Sequence, residues 1–126
     1  MKKIIQTNNA PAPIGPFSQA VAHGNTLYVS GQLPIDPATG EMDGADVQTQ
    51  TKRVMQNLLA IVQAAGATAA DILKCTILLT DMKDFAAMNE VYGSYFPTEP
   101  PARICYQVTA LPKGAIVEVD AIVALP

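Results

Sequence analysis

Arg103, Glu118 and Asp120 are the residues of this chain whose types and spacing could do chemistry. All three lie in the run 100–123, P-P-A-R-I-C-Y-Q-V-T-A-L-P-K-G-A-I-V-E-V-D-A-I-V, which reads as two β-strands joined by a short turn containing Pro112 and Gly114. Strand alternation sends Ile104, Tyr106 and Val108 to one face and Arg103, Cys105 and Gln107 to the other. On the second strand Val117, Val119, Ala121 and Val123 share a face, with Glu118 and Asp120 opposite. A charge in a strand otherwise suited to burial is costly unless it meets an opposite charge or hydrogen-bonding groups. Two readings follow. The charges neutralise each other across neighbouring strands, a structural device worth about 0.2–1 kcal/mol, or one is kept for a charged ligand. A free arginine would suit a carboxylate, because its planar fork donates two parallel hydrogen bonds. A glutamate on the adjacent strand could then take a proton from water. Asp120 reads as a solvated or interface acid.

Other chemistries find less support. Cys75 and Cys105 lie 30 positions apart without C-x-x-C spacing, and His23 is the only histidine, so no metal site is expected. Cys75 reads as a small buried apolar residue. A Cys–His nucleophile would need His23 beside Cys105, which nothing in the sequence indicates. The net charge is -3, and the eight Lys+Arg form no cluster beyond Lys2-Lys3 and Lys52-Arg53, which disfavours nucleic-acid binding. The start M-K-K-I-I turns polar at Gln6-Thr7-Asn8-Asn9, so no signal peptide is expected, and no apolar run is long enough to span a bilayer. A soluble cytoplasmic protein is the default expectation. The 126 residues suit one domain, 1–126. Only 15% of them are charged, which is low for a monomer that must wet its whole surface and favours an oligomer.

The elements that must position these residues follow from punctuation and period. Pro11, Pro13 and Pro16 around Gly15 make the opening segment extended or turn-like. Ala20 to His23 and Leu27 to Ser30 are strand candidates joined at Gly24-Asn25, and 34–44 is a loop. Val47, Val54, Met55, Leu58, Ile61, Val62 and Ala65 recur at helical spacing, with Asp46 as N-cap and Gly66 as the stop. Thr68 to Asp71 has capping-box spacing. Lys74 to Thr80 is a β-rich run apolar on both faces, and a second helix is predicted from about Phe85 to Phe96, ended by Pro97 and facing inward through Phe85, Met88, Tyr92 and either Tyr95 or Phe96. The order strand, strand, helix, strand, helix, strand, strand predicts an α+β sheet with two helices on one face. The far face, expected to hold Cys105, Ile116 and Ile122 beside its polar residues, is predicted to pack against other subunits.

Five segments in order resemble one family. A-P-I-G-P-F (12–17), S-G-Q-L-P (30–34), D-P-A-T-G-E (36–41), D-F-A-A-M-N-E-V-Y (84–92) and the stretch P-P-A-R-I-C with L-P-K-G-A-I-V-E-V-D-A-I-V are similar to motifs of the RidA/YjgF reactive-intermediate deaminases. The resemblance implies a chorismate-mutase-like mixed sheet and a homotrimer with clefts between subunits. It implies hydrolysis of 2-imino acids and their enamine tautomers, such as 2-iminobutanoate and 2-iminopropanoate, to 2-keto acids and ammonia, with no cofactor and no metal. Carried over, Arg103 matches the arginine that holds the substrate carboxylate, Glu118 the acid that positions or activates water, and Cys105 a cysteine lining the pocket. Ser30 and Gly31 match the pocket wall, and Asn89 a helix asparagine near it. Phe17 stands where many relatives carry tyrosine, so a phenol oxygen is missing, although its ring could still close the pocket. Each also has a plainer reading: Ser30 as a turn residue bonding local backbone, Gly31 as a position that excludes a Cβ, Asn89 as a cap on a neighbouring loop. For the two charges to act on one ligand, Glu118 must be displaced from the guanidinium, with water or substrate between them. The alternative is a trimer that binds small carboxylates and regulates a partner without turnover. RNA cleavage ranks lowest, on charge.

Overall fold

Gly24 sits in the left-handed region (φ 59°) and turns the chain between β2 (Ala20–His23) and β3 (Thr26–Gln32), an antiparallel hairpin in register Ala20–Val29 to His23–Thr26. The computed structural model describes residues 1–126. The remaining elements are β1 (Lys3–Ile5), α1 (Val47–Ala64), β4 (Ile72–Leu79), α2 (Phe85–Ser94), β5 (Ala102–Gln107) and β6 (Val117–Ala124). They form one six-stranded sheet in the order β1-β2-β3-β6-β4-β5, antiparallel throughout except for the parallel pair β4–β5. This is the α+β architecture of two helices on a mixed sheet.

Two sequence expectations are corrected. The opening M-K-K-I-I supplies a sixth strand, β1, paired with β2 at Lys3–Ala22 to Ile5–Ala20. And β5 and β6 do not touch, because β4 lies between them. A tight turn reads as a hairpin signal, yet the segment from 108 to 116, with its 3₁₀ turn at Pro112–Gly114, carries the chain across an intervening strand.

Helix α1 is built as its period requires. Asp46 Oδ2 accepts from the Thr49 backbone N–H (2.9 Å) and caps the start, and Gly66 at φ 86° follows the end. Val54, Met55, Leu58, Ile61 and Val62 are fully buried against Val117, Val119, Ala121 and Val123 of β6 and Cys75, Ile77 and Leu79 of β4. Thr68 and Asp71 form the expected capping box around a short 3₁₀ turn. Helix α2 ends at Ser94, two residues before the expected Phe96, whose buried ring packs 5.0 Å from Tyr92 instead. No helix is long and apolar enough to cross a membrane.

Amide side chains hold the irregular segments. Buried Gln19 accepts from the Thr7 N–H (2.8 Å) and donates to the carbonyls of Thr7, Ala10 and Pro11, fastening the proline-rich strap that leads to Phe17. Asn57, 1% exposed on α1, donates to the carbonyls of Leu33 (3.0 Å) and Ile35 (2.9 Å) and fixes the chain leaving β3. Asn57→Ala leaves two buried carbonyls without a donor, at about 1–3 kcal/mol each, so urea melts are expected to show a loss of about 2–6 kcal/mol. A loss below about 0.5 kcal/mol, the scatter of ordinary surface substitutions, contradicts this account.

Candidate active site

The chain has two arginines, and they are treated oppositely. Arg53 meets Asp43 at 3.0 Å and Asp36 at 4.0 Å. Arg103, on β5, meets no carboxylate. Its Nη1 donates to Asn89 Oδ1 at 2.7 Å, and its guanidinium carbon lies 5.1 Å from the centroid of the Tyr92 ring and 5.4 Å from that of Phe85. The half-buried guanidinium lines an open cleft of about 370 Å³ with Asn89, Tyr92, Gly93, Phe96, Pro100 and Pro101. Its contacts to α2 place Arg103 on the helix-covered side of the sheet. The arginine is thus fixed by neutral groups at a cleft open to solvent.

Glu118 lies on the other side. Its neighbours Val117 and Val119 are fully buried under α1, so the alternation of β6 turns Glu118, Asp120 and Ile122 to the far face. There Glu118 and Asp120, with Gly31, Thr76 and Leu78, line a small cavity of about 100 Å³. Asp120 Oδ1 accepts from the Thr76 N–H at 2.8 Å. Burial raises the Glu118 carboxyl above the ordinary 4.5, and the charge of Asp120 adds to the rise. A strand and the thickness of the sheet therefore separate Glu118 from Arg103 in one protomer. The structural ion pair between the two is excluded within one chain, and so is the expectation that they sit on adjacent strands.

The other expected residues divide between these two places. Ser30 and Gly31 fall at the irregularity where the register of β3 on β6 shifts between Val29 and Gln32. Ser30 Oγ donates to the Ser18 carbonyl (2.6 Å), the plainer of its two readings, and ties down the residue after Phe17. Gly31 packs so closely on Glu118 that a Cβ there would collide with Oε2. Phe17 is exposed and lines, with Ile14, Leu33 and Gly31, an apolar hollow adjoining the Glu118 cavity. Asn89 and Cys105 belong with Arg103. Cys105 is not on the far face as expected. It packs, like Ile116, against the main core, and burial raises its thiol pKa against the opposing pull of Arg103. Of the three expected there, Ile122 alone is on the far face, with exposed Tyr28, Ile104 and Tyr106. Cys75 is fully buried, its thiol pushed up to about 11 by burial. No three His, Cys, Asp or Glu side chains converge as a metal-ligand set.

Phe85 and Tyr92 were legible only as core. Their spacing around Asn89, four residues before it and three after, puts all three on one stripe of α2. That spacing is the signal that could have marked them, since a stripe of two rings and an amide opposite an arginine strand is a cation cradle as well as a core face.

Comparison with known proteins assigns the family. The chain belongs to the endoribonuclease L-PSP family, the group of RidA and YjgF, whose model matches residues 7–125. It is 51% identical over 122 residues to a RutC family protein of Pyrococcus horikoshii, covering 97% of each chain. It is 48% identical over 122 residues to a Bos taurus protein named 2-iminobutanoate/2-iminopropanoate deaminase, covering 97% of this chain and 89% of that one. The crystal structure of E. coli TdcF with bound serine matches with a TM-score of 0.94 and 45% identity, covering 98% of this chain and 99% of that one.

The closeness of Gly31 to Glu118 gives a direct test. Only the mobile end of the glutamate obstructs a Cβ, and Gly31 does not need a left-handed backbone, so Gly31→Ala is expected to fold with a melting temperature close to wild type. Its crystal structure is expected to show the Glu118 carboxylate swung away from β3. An unmoved carboxylate would mean that the glycine does not set its position.

Proposed function

We propose that the protein hydrolyses small 2-imino acids, such as 2-iminobutanoate and 2-iminopropanoate, to 2-keto acids and ammonia. The observation that carries the reading is an arginine held by neutral groups at an open cleft, on a chain about half identical to a named imine deaminase. Arg103 grips the substrate carboxylate through its fork, a charge-assisted contact worth about 1.5–3 kcal/mol. This fixes the C=N carbon against a water held by Glu118. The carboxylate takes a proton from that water as its oxygen bonds to carbon, giving a tetrahedral carbinolamine. The protonated Glu118 returns its proton to the nitrogen and takes the hydroxyl proton as the C–N bond breaks, so ammonia leaves as the carbonyl forms. No covalent nucleophile is required. Cys105, Ser30, Gly31, Phe17 and Asn89 shape or support the pocket in this reading, and Phe17 contributes a ring without the phenol oxygen.

Because Arg103 and Glu118 face opposite sides of one sheet, the mechanism needs a second copy of the chain to bring a Glu118 to each Arg103. We assign this to a homotrimer with three inter-subunit clefts. The exposed Tyr28, Ile104 and Tyr106 on the far face supply apolar surface for such contact. The family description speaks of ribonuclease activity, but a net charge of -3 without a basic stripe does not favour a polyphosphate ligand.

Three outcomes are expected. Light scattering should give three times the 13.3 kDa chain mass. A 13.3 kDa particle would remove the composite cleft. In an assay coupled to a threonine dehydratase, Arg103→Ala should lose about 10- to 150-fold in kcat/KM, the rate equivalent of the charged hydrogen bond, and Glu118→Gln about 10²- to 10⁴-fold. An Arg103→Ala protein matching wild type would overturn the mechanism, and affinity for 2-oxobutanoate without any acceleration would favour a non-catalytic binder. The third outcome concerns pH. A general base works deprotonated, so activity should be lost as pH falls through the Glu118 pKa. A partner's guanidinium lowers that pKa against the burial that raises it. In Arg103→Ala of unchanged oligomer mass, carboxyl NMR should therefore find Glu118 titrating at higher pH than in wild type. No change would place the two charges in separate sites.

A further inference from the structure

Helix α2 carries the groups that hold Arg103. Phe85, Asn89 and Tyr92 surround the guanidinium with two ring faces and one amide oxygen, each neutral. Acids that could have filled that role stand nearby in sequence, at Asp84 and Glu90, yet neither meets Arg103. Glu90 instead accepts from Gln48 Nε2 at 3.1 Å. Tyr92 is the most committed of the three. It is 5% exposed, its ring is braced by Phe96 at 5.0 Å, and its hydroxyl lies against the buried Cys75 thiol, a weak partner. What it turns to Arg103 is the ring face.

We propose that Phe85, Asn89 and Tyr92 are positioning residues, a charge-neutral clamp that orders the Arg103 guanidinium without spending its charge on a carboxylate of its own chain, and that this neutrality sets the affinity of the site for a carboxylate. The inference rests on the reading of Arg103 as the carboxylate anchor. Ring quadrupoles attract a cation by the face without neutralising it. An amide oxygen orients one N–H and leaves the net charge at one. A carboxylate in the place of Asn89 would hold the arginine equally well and cancel its attraction for a second anion. The clamp thus separates holding the arginine from satisfying it. No purely structural role requires that separation.

The test exploits this difference. Asn89→Asp keeps the acceptor and the side-chain length, so a structural role is preserved and the melting temperature is expected to be unchanged or higher. Calorimetric titration with 2-oxobutanoate is expected to show at least about 10-fold weaker binding, and the coupled assay a rise in KM rather than a fall in kcat. Tyr92→Leu is expected to lose similar affinity, and Tyr92→Phe to restore it. The ordering itself can be read without ligand, because with two arginines in the chain the Nε–H resonances are readily assigned. The Arg103 signal should be sharp and slowly exchanging in wild type and broadened in Tyr92→Leu. Arg103→Ala serves as the control for the underlying reading. If it loses binding while Asn89→Asp binds within twofold of wild type, the anchor stands and the clamp is wrong. If Arg103→Ala binds like wild type, the anchor itself is wrong. A sharp Arg103 resonance in folded Tyr92→Leu also overturns the clamp, and if that variant does not fold, Asn89→Asp alone decides.

Discussion

The rest of this structure depends on how one guanidinium is held. Burying a cation beside a sheet edge is tolerable only if something compensates for the water it loses. The usual compensation is a carboxylate, and this chain uses it for Arg53. For Arg103 it uses a hydrogen bond to an amide and the faces of two aromatic rings. Each is weaker than an ion pair at close range, but together they fix the fork and leave it attractive to anions. Placing α2 across β5 is what makes this possible, and the parallel pairing of β5 to β4 is what places β5 there.

The second constraint is the strand order. With β4 between β5 and β6, and with opposite faces presented, the residues best suited to chemistry are kept apart within one chain. That separation prevents self-neutralisation. Within one chain, burial raises the Glu118 carboxyl pKa and the neighbouring charge of Asp120 adds to the rise. The cationic group under the helices and the acidic pair on the opposite face therefore do not meet within one chain.

The sequence was informative where a property is local. The cap at Asp46, the stop at Gly66, the turn at Gly24 and the faces of β5 and β6 each depend on a few neighbouring residues, and they appear as the patterns predict. Strand adjacency is not local. Two strands consecutive in the chain and joined by Pro112 to Gly114 look like a hairpin, and nothing in either reveals that β4 has entered between them. The short β1 escaped because three residues are too few for a period. Cys105 followed its strand alternation correctly alongside Arg103, but which side of the sheet was covered by helices could not be read, so it was expected on the wrong face. Phe85 and Tyr92 were seen as inward-facing, correctly, while their second partner, a cation, leaves no mark in a hydrophobic period.

The strap between residues 7 and 17 illustrates how unevenly a fold distributes its tolerance of change. Prolines deprive this stretch of the amide donors needed to join a sheet, so it cannot hold itself against β2 by backbone ladders. One carboxamide, that of Gln19, does so through four hydrogen bonds. Drift among the exposed side chains of the strap therefore has little to disturb, because this grip is on backbone carbonyls and an N–H that every replacement but proline retains, whereas Ala10 is buried in the main core. The grip itself is concentrated at Gln19, where even glutamate, isosteric but unable to donate, would release three carbonyls at once.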